Sequence, residues 1–400
     1  MLTSLSLIFL VGLAMGAICS KLKLPRIIGM LATGIILGPY VLDLLDPSIL
    51  SISAELRKMA LVIILLKAGL SLNLQDLKKV GRPAIMLSFV PATFEIIGYI
   101  LLAPIILGLT HTEAAVMGAV LSAVSPAVVI PRMVQLMDNK YGTDQAIPQM
   151  IMAGASCDDI FVIVLFTTFL SMAQGGGVNL TSFLNIPISI ILGILLGAIV
   201  GYGLYLFFET AYARKHYVRN SMKVIIVLGF SFLLIAIEGW LEGKIAISGL
   251  LAVVSMACVL KVKSIAFVSK RLSEKFGKLW LAAEVMLFVL VGAAVDIRYT
   301  LEAGFAAILM IFAALFFRTF GVLLCTFKTR LSVKERLFCV IAYLPKATVQ
   351  AAIGSVPLAA GLPCGKIILS VAVMAIIITA PLGALGMDAT YKKLLSHAES

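Results

Sequence analysis

Apolar residues run through the chain in long blocks, separated by short polar connections that carry most of the charge. Thirteen blocks can be distinguished, with approximate bounds 3–19, 26–42, 56–73, 83–108, 113–135, 147–172, 182–208, 220–240, 245–261, 280–297, 303–327, 334–357 and 365–387. A membrane-crossing helix needs about 20 apolar residues, whereas strands would alternate apolar and polar positions. The pattern predicts an all-α polytopic membrane protein with about 13 transmembrane helices.

Composition agrees with this prediction. Of the 400 residues, 61% are hydrophobic and 13% are charged, whereas a soluble domain is typically about half apolar and about a quarter charged. The bilayer therefore takes the place of most of a soluble core.

The net charge of +12 reports membrane topology rather than nucleic-acid binding. With the N-terminus outside, 24 of the 32 Lys and Arg residues fall in connections on the cytoplasmic side, 5 fall on the outer side and 3 lie within the blocks. Cytoplasmic connections carry such an excess of positive charge. We therefore expect a multi-pass protein of the cell membrane with a cytoplasmic C-terminus. Its partners would be the bilayer and anionic lipid headgroups, and we expect no nucleic acid.

Two groups of blocks, 2–6 and 9–13, can be aligned with each other at an offset of about 220 residues. Gly69 then matches Gly292, and Pro126 matches Pro345. Matched blocks are an odd number apart, so the two groups cross the membrane in opposite directions. Inverted repeats with helix-breaking residues at matching positions are typical of secondary transporters.

Five ionisable residues lie in the middle of apolar blocks: Glu95, Asp158, Asp159, Arg318 and Lys346. The first aspartate is eleven positions along the helix from residue 147, which places it roughly 16 Å deep, near the centre of the bilayer. Charged residues at such depth are costly and indicate a functional site.

Glu95 and Arg318 are 223 residues apart, the same separation as Gly69 and Gly292. They therefore occupy equivalent places in the two repeats. We predict that they form a structural ion pair between blocks 4 and 11, which ties the repeats together.

Pro126 and Pro345 each interrupt an apolar block, because proline lacks a backbone donor and clashes with the preceding turn. We predict two crossing broken helices, with Ser125, Pro126, Lys346 and Thr348 lining a site where they meet. Their ends and bare carbonyls would face an ion.

The five buried charges comprise three carboxylates and two cations, a sum of −1 when all are ionised. One proton or one monovalent cation would neutralise the group. Desolvation and like charge both favour the protonated form of a carboxyl group, so H⁺ and a metal cation can compete for one site. Adjacent helical residues point about 100° apart, which lets one aspartate face the ion and the other face Lys346.

The aspartate pair does not suit known hydrolytic sites. The two carboxyl groups of an aspartyl protease share one proton and must face each other. A DDxxD magnesium–diphosphate motif would need an acid where Val162 stands. We therefore expect a transporter rather than an enzyme, with no cofactor.

Glycines recur every four residues at Gly12 and Gly16, and again at Gly193, Gly197 and Gly201. Small residues at this spacing allow close helix packing in membranes. The pattern leaves open whether the partner helix lies in the same protomer or in another.

Five motifs resemble those of the cation/proton antiporter superfamily, in the double-aspartate branch that contains the animal sodium/hydrogen exchangers and their bacterial relatives. They are "LPRIIGMLATGIILGP" (24–39), "LLKAGLSLNL" (65–74), "SPAVVIPRM" (125–133), "ASCDDI" (155–160) and "AYLPKATVQAAIG" (342–354). The resemblance covers nearly the whole chain.

The resemblance implies a homodimer in which a core domain, here 83–173 and 303–387, moves against a scaffold and dimerisation part, about 1–73 and 182–297. It makes Asp159 the main ion- and proton-binding carboxylate and Asp158 its neighbour, so that these two would hold the transported Na⁺.

The function that it implies is antiport of Na⁺ or Li⁺ against H⁺ by alternating access, in pH homeostasis. The alternatives are a sodium-coupled symporter of related fold and a K⁺/H⁺ exchanger.

Overall fold

The computed structural model describes residues 1–22, 24–71, 81–175, 180–213, 218–241, 247–296 and 304–397. The helices are α1 Leu2–Lys21, α2 Arg26–Leu37, α3 Pro47–Ser51, α4 Ser53–Ser71, α5 Arg82–Leu87, α6 Val90–Leu107, α7 His111–Leu121, α8 Pro126–Asp138, α9 Ile147–Ala173, α10 Leu180–Ala213, α11 Asn220–Leu241, α12 Gly249–Lys263, α13 Ala266–Ala293, α14 Gly304–Thr326, α15 Val333–Ala342, α16 Thr348–Ile353, α17 Val356–Ala359 and α18 Gly365–Leu394.

The all-helical prediction is confirmed, and every predicted apolar block coincides with one or more helices. Within the described residues, nine helical stretches are long and apolar enough to cross a membrane. The total of thirteen crossings stays a prediction, because several blocks form short or broken helices. The second block, for example, forms a helix of only 12 residues.

The chain divides into two compact units. The first contains Met1–Arg57, Asn73–Gln174 and Val285–Ser400, and the second contains Lys58–Leu72 and Gly175–Glu284. The predicted division into a moving core and a static scaffold concerns motion, and it stays a prediction.

Two helices of the first unit are broken in the middle. Residues 122–125 separate α7 from α8, and residues 343–347 separate α15 from α16. Pro126 begins α8, and its ring would clash with the carbonyl of Ser122 in a continuous helix. The preceding halves start alike, each with a capping box, at Thr110 for α7 and Ser332 for α15.

Helices α6 and α14 pack closely in the first unit because each places a glycine against the other. A methyl group at Gly98 would come within 2.9 Å of the Phe317 ring, and one at Gly321 within 2.7 Å of the Pro91 backbone. Gly98 and Gly321 are 223 residues apart, the repeat offset that relates the predicted Glu95–Arg318 pair. The close approach of α6 and α14 at these glycines therefore also brings Glu95 and Arg318 together, one helical turn from the glycines.

In the second unit, the glycine stripe of α10 packs against α12. A methyl group at Gly193 would lie 2.7 Å from Ser248 O, one at Gly201 2.7 Å from Met256 O, and one at Gly197 would collide with Ala252 O. The sequence left open whether this stripe packs within one protomer or between two. The structure shows that its partner is a helix of the same protomer.

Candidate ion-binding site

Asp158 lies in the middle of α9, against the break between α7 and α8. Its carboxylate is completely buried. Oδ2 accepts a hydrogen bond from the Val124 N–H at 2.7 Å, and Arg318 Nη2 lies 3.5 Å from the same oxygen. The break supplies this donor because Val124 lies outside both half-helices.

Glu95, on α6, binds both buried cations. Arg318 Nη1 lies 2.7 Å from Oε2, and Lys346 Nζ lies 2.7 Å from Oε1 and 2.8 Å from Oε2. The two residues that the repeat spacing pairs are therefore in contact. The expectation that an aspartate faces Lys346 is wrong, since this lysine is held on Glu95 and Asp158 faces Arg318 instead.

Arg318 also donates hydrogen bonds to a carbonyl at the break of each broken helix. Its Nη1 donates to Ser122 O, and its Nε donates to Tyr343 O at 2.6 Å. These carbonyls lie at the C-terminal ends of α7 and α15, where the helix dipole is negative. The prediction that such carbonyls stand bare for an ion is wrong here. An unsatisfied carbonyl is costly inside a membrane, and the arginine satisfies two of them.

Further hydrogen bonds close the crossing point. Ser125 N–H donates to Pro345 O at 2.8 Å, and Gln350 Nε2 donates to Ala123 O at 2.8 Å and to Leu121 O at 3.4 Å. Together these bonds fix the two breaks against each other.

The break that carries Lys346 is also anchored to α18. The Lys346 N–H donates to Thr379 Oγ1 at 3.0 Å. A side chain at Gly383 would collide with the Pro345 ring, so glycine is required where α18 passes this break.

Asp159 differs from the other two buried carboxylates. It is 7% exposed, and no cation of the described residues lies within ion-pair distance of it. Glu95 and Asp158 are both next to cations, so the surplus negative charge of the cluster falls on Asp159. Buried charges without a partner are strongly disfavoured.

Among the described residues, the buried oxygens in this region without a hydrogen-bond partner include Asp158 Oδ1, Asp159 Oδ1, Ser125 Oγ and Thr348 Oγ1, together with Gln350 Oε1 and Tyr343 Oη. The first four belong to residues that are predicted from the sequence to form the site. Carboxylate and hydroxyl oxygens are the ligands that hard cations prefer.

Tyr343 is a part of the site that sequence reasoning missed. Its side chain is buried beneath Arg318, whose guanidinium carbon lies 5.5 Å from the ring centroid. A methyl group at Gly154, one turn before Asp158, would collide with the tyrosine hydroxyl. The space beside Gly154 is therefore filled by Tyr343. A glycine one turn from the aspartates was the available signal.

Comparison with known proteins agrees with this geometry. The family model described as "Sodium/hydrogen exchanger, transmembrane" matches residues 5–392. Sodium/hydrogen exchanger 9B2 of Xenopus tropicalis is 31% identical, over 99% of this chain and 75% of its own length. The human exchanger of the same name is 32% identical, over 94% of this chain and 71% of its own length.

The fold has a solved counterpart in the sodium proton antiporter MjNhaP1 from Methanocaldococcus jannaschii. It superposes with a TM-score of 0.84 at 22% identity and covers 98% of each chain. With the family model matched along almost the entire chain, this protein belongs to the sodium/hydrogen exchanger family.

Proposed function

We propose that this protein is a secondary active antiporter that exchanges Na⁺ for H⁺ across the membrane by alternating access. Family membership supports the reaction. The observation that carries the site assignment is the charge balance of the buried cluster, in which no cation of the described residues pairs with Asp159. Either ion would bring the sum of the five charges to zero, so each turnover can carry one or the other without leaving a net buried charge. The exchange needs no resident cofactor.

Each residue of the cluster has a distinct role in this proposal. Asp159 binds H⁺ or the metal cation. Asp158 is fixed through Oδ2 and contributes Oδ1, while the Ser125 and Thr348 hydroxyls contribute neutral oxygens. Arg318 and Lys346 balance Glu95 and Asp158, so that only one further positive charge is admitted.

Competition between the two ions predicts a definite pH dependence. Because the proton and Na⁺ exclude each other from one carboxylate, the half-saturating Na⁺ concentration should rise as pH falls, by about tenfold per pH unit in the acid limit. The maximal rate at saturating Na⁺ should change much less. Proteoliposomes containing a pH-sensitive dye measure both values.

The same vesicles test the reaction itself. Addition of Na⁺ outside should alkalinise the lumen, because protons leave the vesicle as Na⁺ enters; acidification would indicate symport. Parallel additions of Li⁺ and K⁺ identify the transported cations, and a K⁺ response without a Na⁺ response would replace the proposal with K⁺/H⁺ exchange. A half-saturating Na⁺ concentration that stays constant with pH would contradict the single shared site.

We further propose that the protein works as a homodimer in the cell membrane, with the N-terminus outside, and that it serves pH homeostasis. The family resemblance and the distribution of Lys and Arg support this arrangement. A monomeric mass by light scattering in detergent would contradict the dimer. Protease access to a C-terminal tag from outside intact cells would contradict the orientation.

Anionic lipids are the partners that we propose for the first half of α13. Four basic residues there, Lys270, Arg271, Lys275 and Lys278, line a cavity of about 410 Å³ together with Glu274. The opposite face of the same turns is buried through Leu272, Phe276 and Trp280. Clusters of four to eight basic residues beside a membrane helix are typical of sites for anionic headgroups.

Replacing Lys270, Lys275 and Lys278 with glutamine should remove most of the thermal stabilisation that phosphatidylglycerol gives over phosphatidylcholine. The matched control replaces Lys328, Arg330 and Lys334 with glutamine. These substitutions remove the same charge, but the three residues lie on the exposed connection before α15 and in its first turn. An equal loss in both variants would indicate general charge screening rather than a site on α13.

A further inference from the structure

Gln350 reaches from α16 of one repeat into the broken helix of the other. Its side chain is fully buried, and its Nε2 donates to Ala123 O and Leu121 O. Both acceptors are carbonyls, so the amide must present its NH₂ group to them. The sequence alone predicts no role in ion binding for this glutamine.

One of these acceptors belongs to the peptide group that also holds an aspartate. The carbonyl of Ala123 and the N–H of Val124 are parts of the same planar unit. Gln350 Nε2 donates to the oxygen of this peptide group at 2.8 Å, and the N–H of the same group donates to Asp158 Oδ2 at 2.7 Å. The peptide is thus fixed at both ends, and a donor on the carbonyl polarises the N–H toward the carboxylate.

Ala123 lies in the break, and among the described residues no backbone N–H donates to its carbonyl. The adjacent carbonyls, Leu121 O and Ser122 O, accept from Gln350 and Arg318. The break is therefore held by side chains of the second repeat together with the bond from Ser125 N–H to Pro345 O. Of these, only Gln350 acts on the peptide that donates to Asp158.

We propose that Gln350 is a positioning residue of the transport site. It holds the Ala123–Val124 peptide so that the Val124 N–H fixes one oxygen of Asp158, which leaves Oδ1 as the oxygen available to the cation. This inference rests on the proposed function and deepens it, since it names a residue that sets cation affinity without touching the cation.

Replacing Gln350 with methionine tests the proposal, because methionine is unbranched and of similar size but has no donor. In proteoliposomes at one fixed pH, the half-saturating Na⁺ concentration should rise about three- to tenfold, as expected for one weakened hydrogen bond at the site. The maximal rate should stay within about twofold, since the charge cluster is intact. The shift in thermal unfolding that Na⁺ produces should shrink in parallel, which reports binding without turnover.

Gln149→Met is the matched control. It makes the same change near the start of α9, roughly 13 Å along the helix from Asp158, and should keep wild-type values. Gln350→Asn is a second variant that shortens the side chain by one methylene, and it should shift the affinity in the same direction.

A lower maximal rate with unchanged Na⁺ affinity would overturn the proposal, because it would indicate a purely structural glutamine. Wild-type affinity in either Gln350 variant would also overturn it. If the wild-type protein moved no protons on Na⁺ addition, the proposed function would fail instead. The Na⁺-dependent thermal shift would then still decide the role of Gln350.

Discussion

Replacing Asp159 with asparagine should reduce sodium-driven proton movement to the level of protein-free vesicles. The amide is nearly isosteric with the carboxyl group but can neither bind a proton nor neutralise a cation at neutral pH. The buried cluster would then sum to zero without any transported ion, so neither ion has an electrostatic reason to enter. Fluorescence of an entrapped pH dye in proteoliposomes measures the loss.

The same substitution should leave thermal stability unchanged or raise it. No cation in the described part of the chain pairs with Asp159, and burial of an unpaired charge is unfavourable. In contrast, added Na⁺ should stabilise the wild-type protein and not the variant, because a ligand stabilises only the state that binds it. Thermal unfolding in detergent with and without Na⁺ separates the two effects.

Asp138→Asn provides the control for these measurements, since Asp138 is an exposed carboxylate at the end of α8. It should keep wild-type exchange and wild-type stabilisation by Na⁺. Exchange retained by Asp159→Asn would show that another group carries the ions. A strongly destabilised Asp159→Asn protein would show that the carboxylate is a structural partner.

Replacing Arg318 with alanine should produce the largest loss of stability in the molecule. The side chain is 1% exposed. Its removal leaves Glu95 with only one cation and leaves Ser122 O and Tyr343 O without the donor that they share. Loss of one partner from a buried ion pair costs about 3–5 kcal/mol, and the orphaned carbonyls add to that cost. Thermal unfolding in detergent measures the change.

Arg132→Ala is the matched control, because it removes an arginine from an exposed ion pair with Asp388 at 3.0 Å. Exposed pairs contribute about 0–1 kcal/mol. Equal losses of stability in the two variants would contradict the central role of Arg318. Exchanging the charges of Glu95 and Arg318 should not rescue the protein, since an arginine at position 95 would face Lys346.

The sequence predicted the helices because apolar length alone decides which segments can lie in a bilayer. It also predicted both helix breaks, since proline acts on its own preceding turn, and the Glu95–Arg318 contact, since an inverted repeat fixes which residues are equivalent. Gly98 and Gly321, which allow that contact, obey the same offset but were not recognised. Their meaning depends on which helix faces them.

The partners of the buried cations could not be predicted in the same way. Repeat symmetry relates Glu95 to Arg318, but Lys346 and Gln350 were not assigned counterparts in the first repeat. Where such a side chain ends depends on the depth at which the two breaks cross and on which carbonyls are left without donors. For that reason Lys346 was assigned to an aspartate, and the carbonyls were assigned to an ion.

The amino-acid sequence by itself determined an all-helical membrane protein, its inverted repeats, its two broken helices and the five charges at membrane depth. These follow from local chemistry, namely the cost of exposing polar groups to lipid and the missing donor of proline. Only the tertiary structure decided how the charges are shared: Glu95 is bound to two cations, Asp158 is fixed by the Val124 N–H, and Asp159 pairs with no cation of the residues that the structure describes. Coulomb energy and hydrogen bonding depend on distances of a few ångströms between helices, and those distances exist only once the helices have packed.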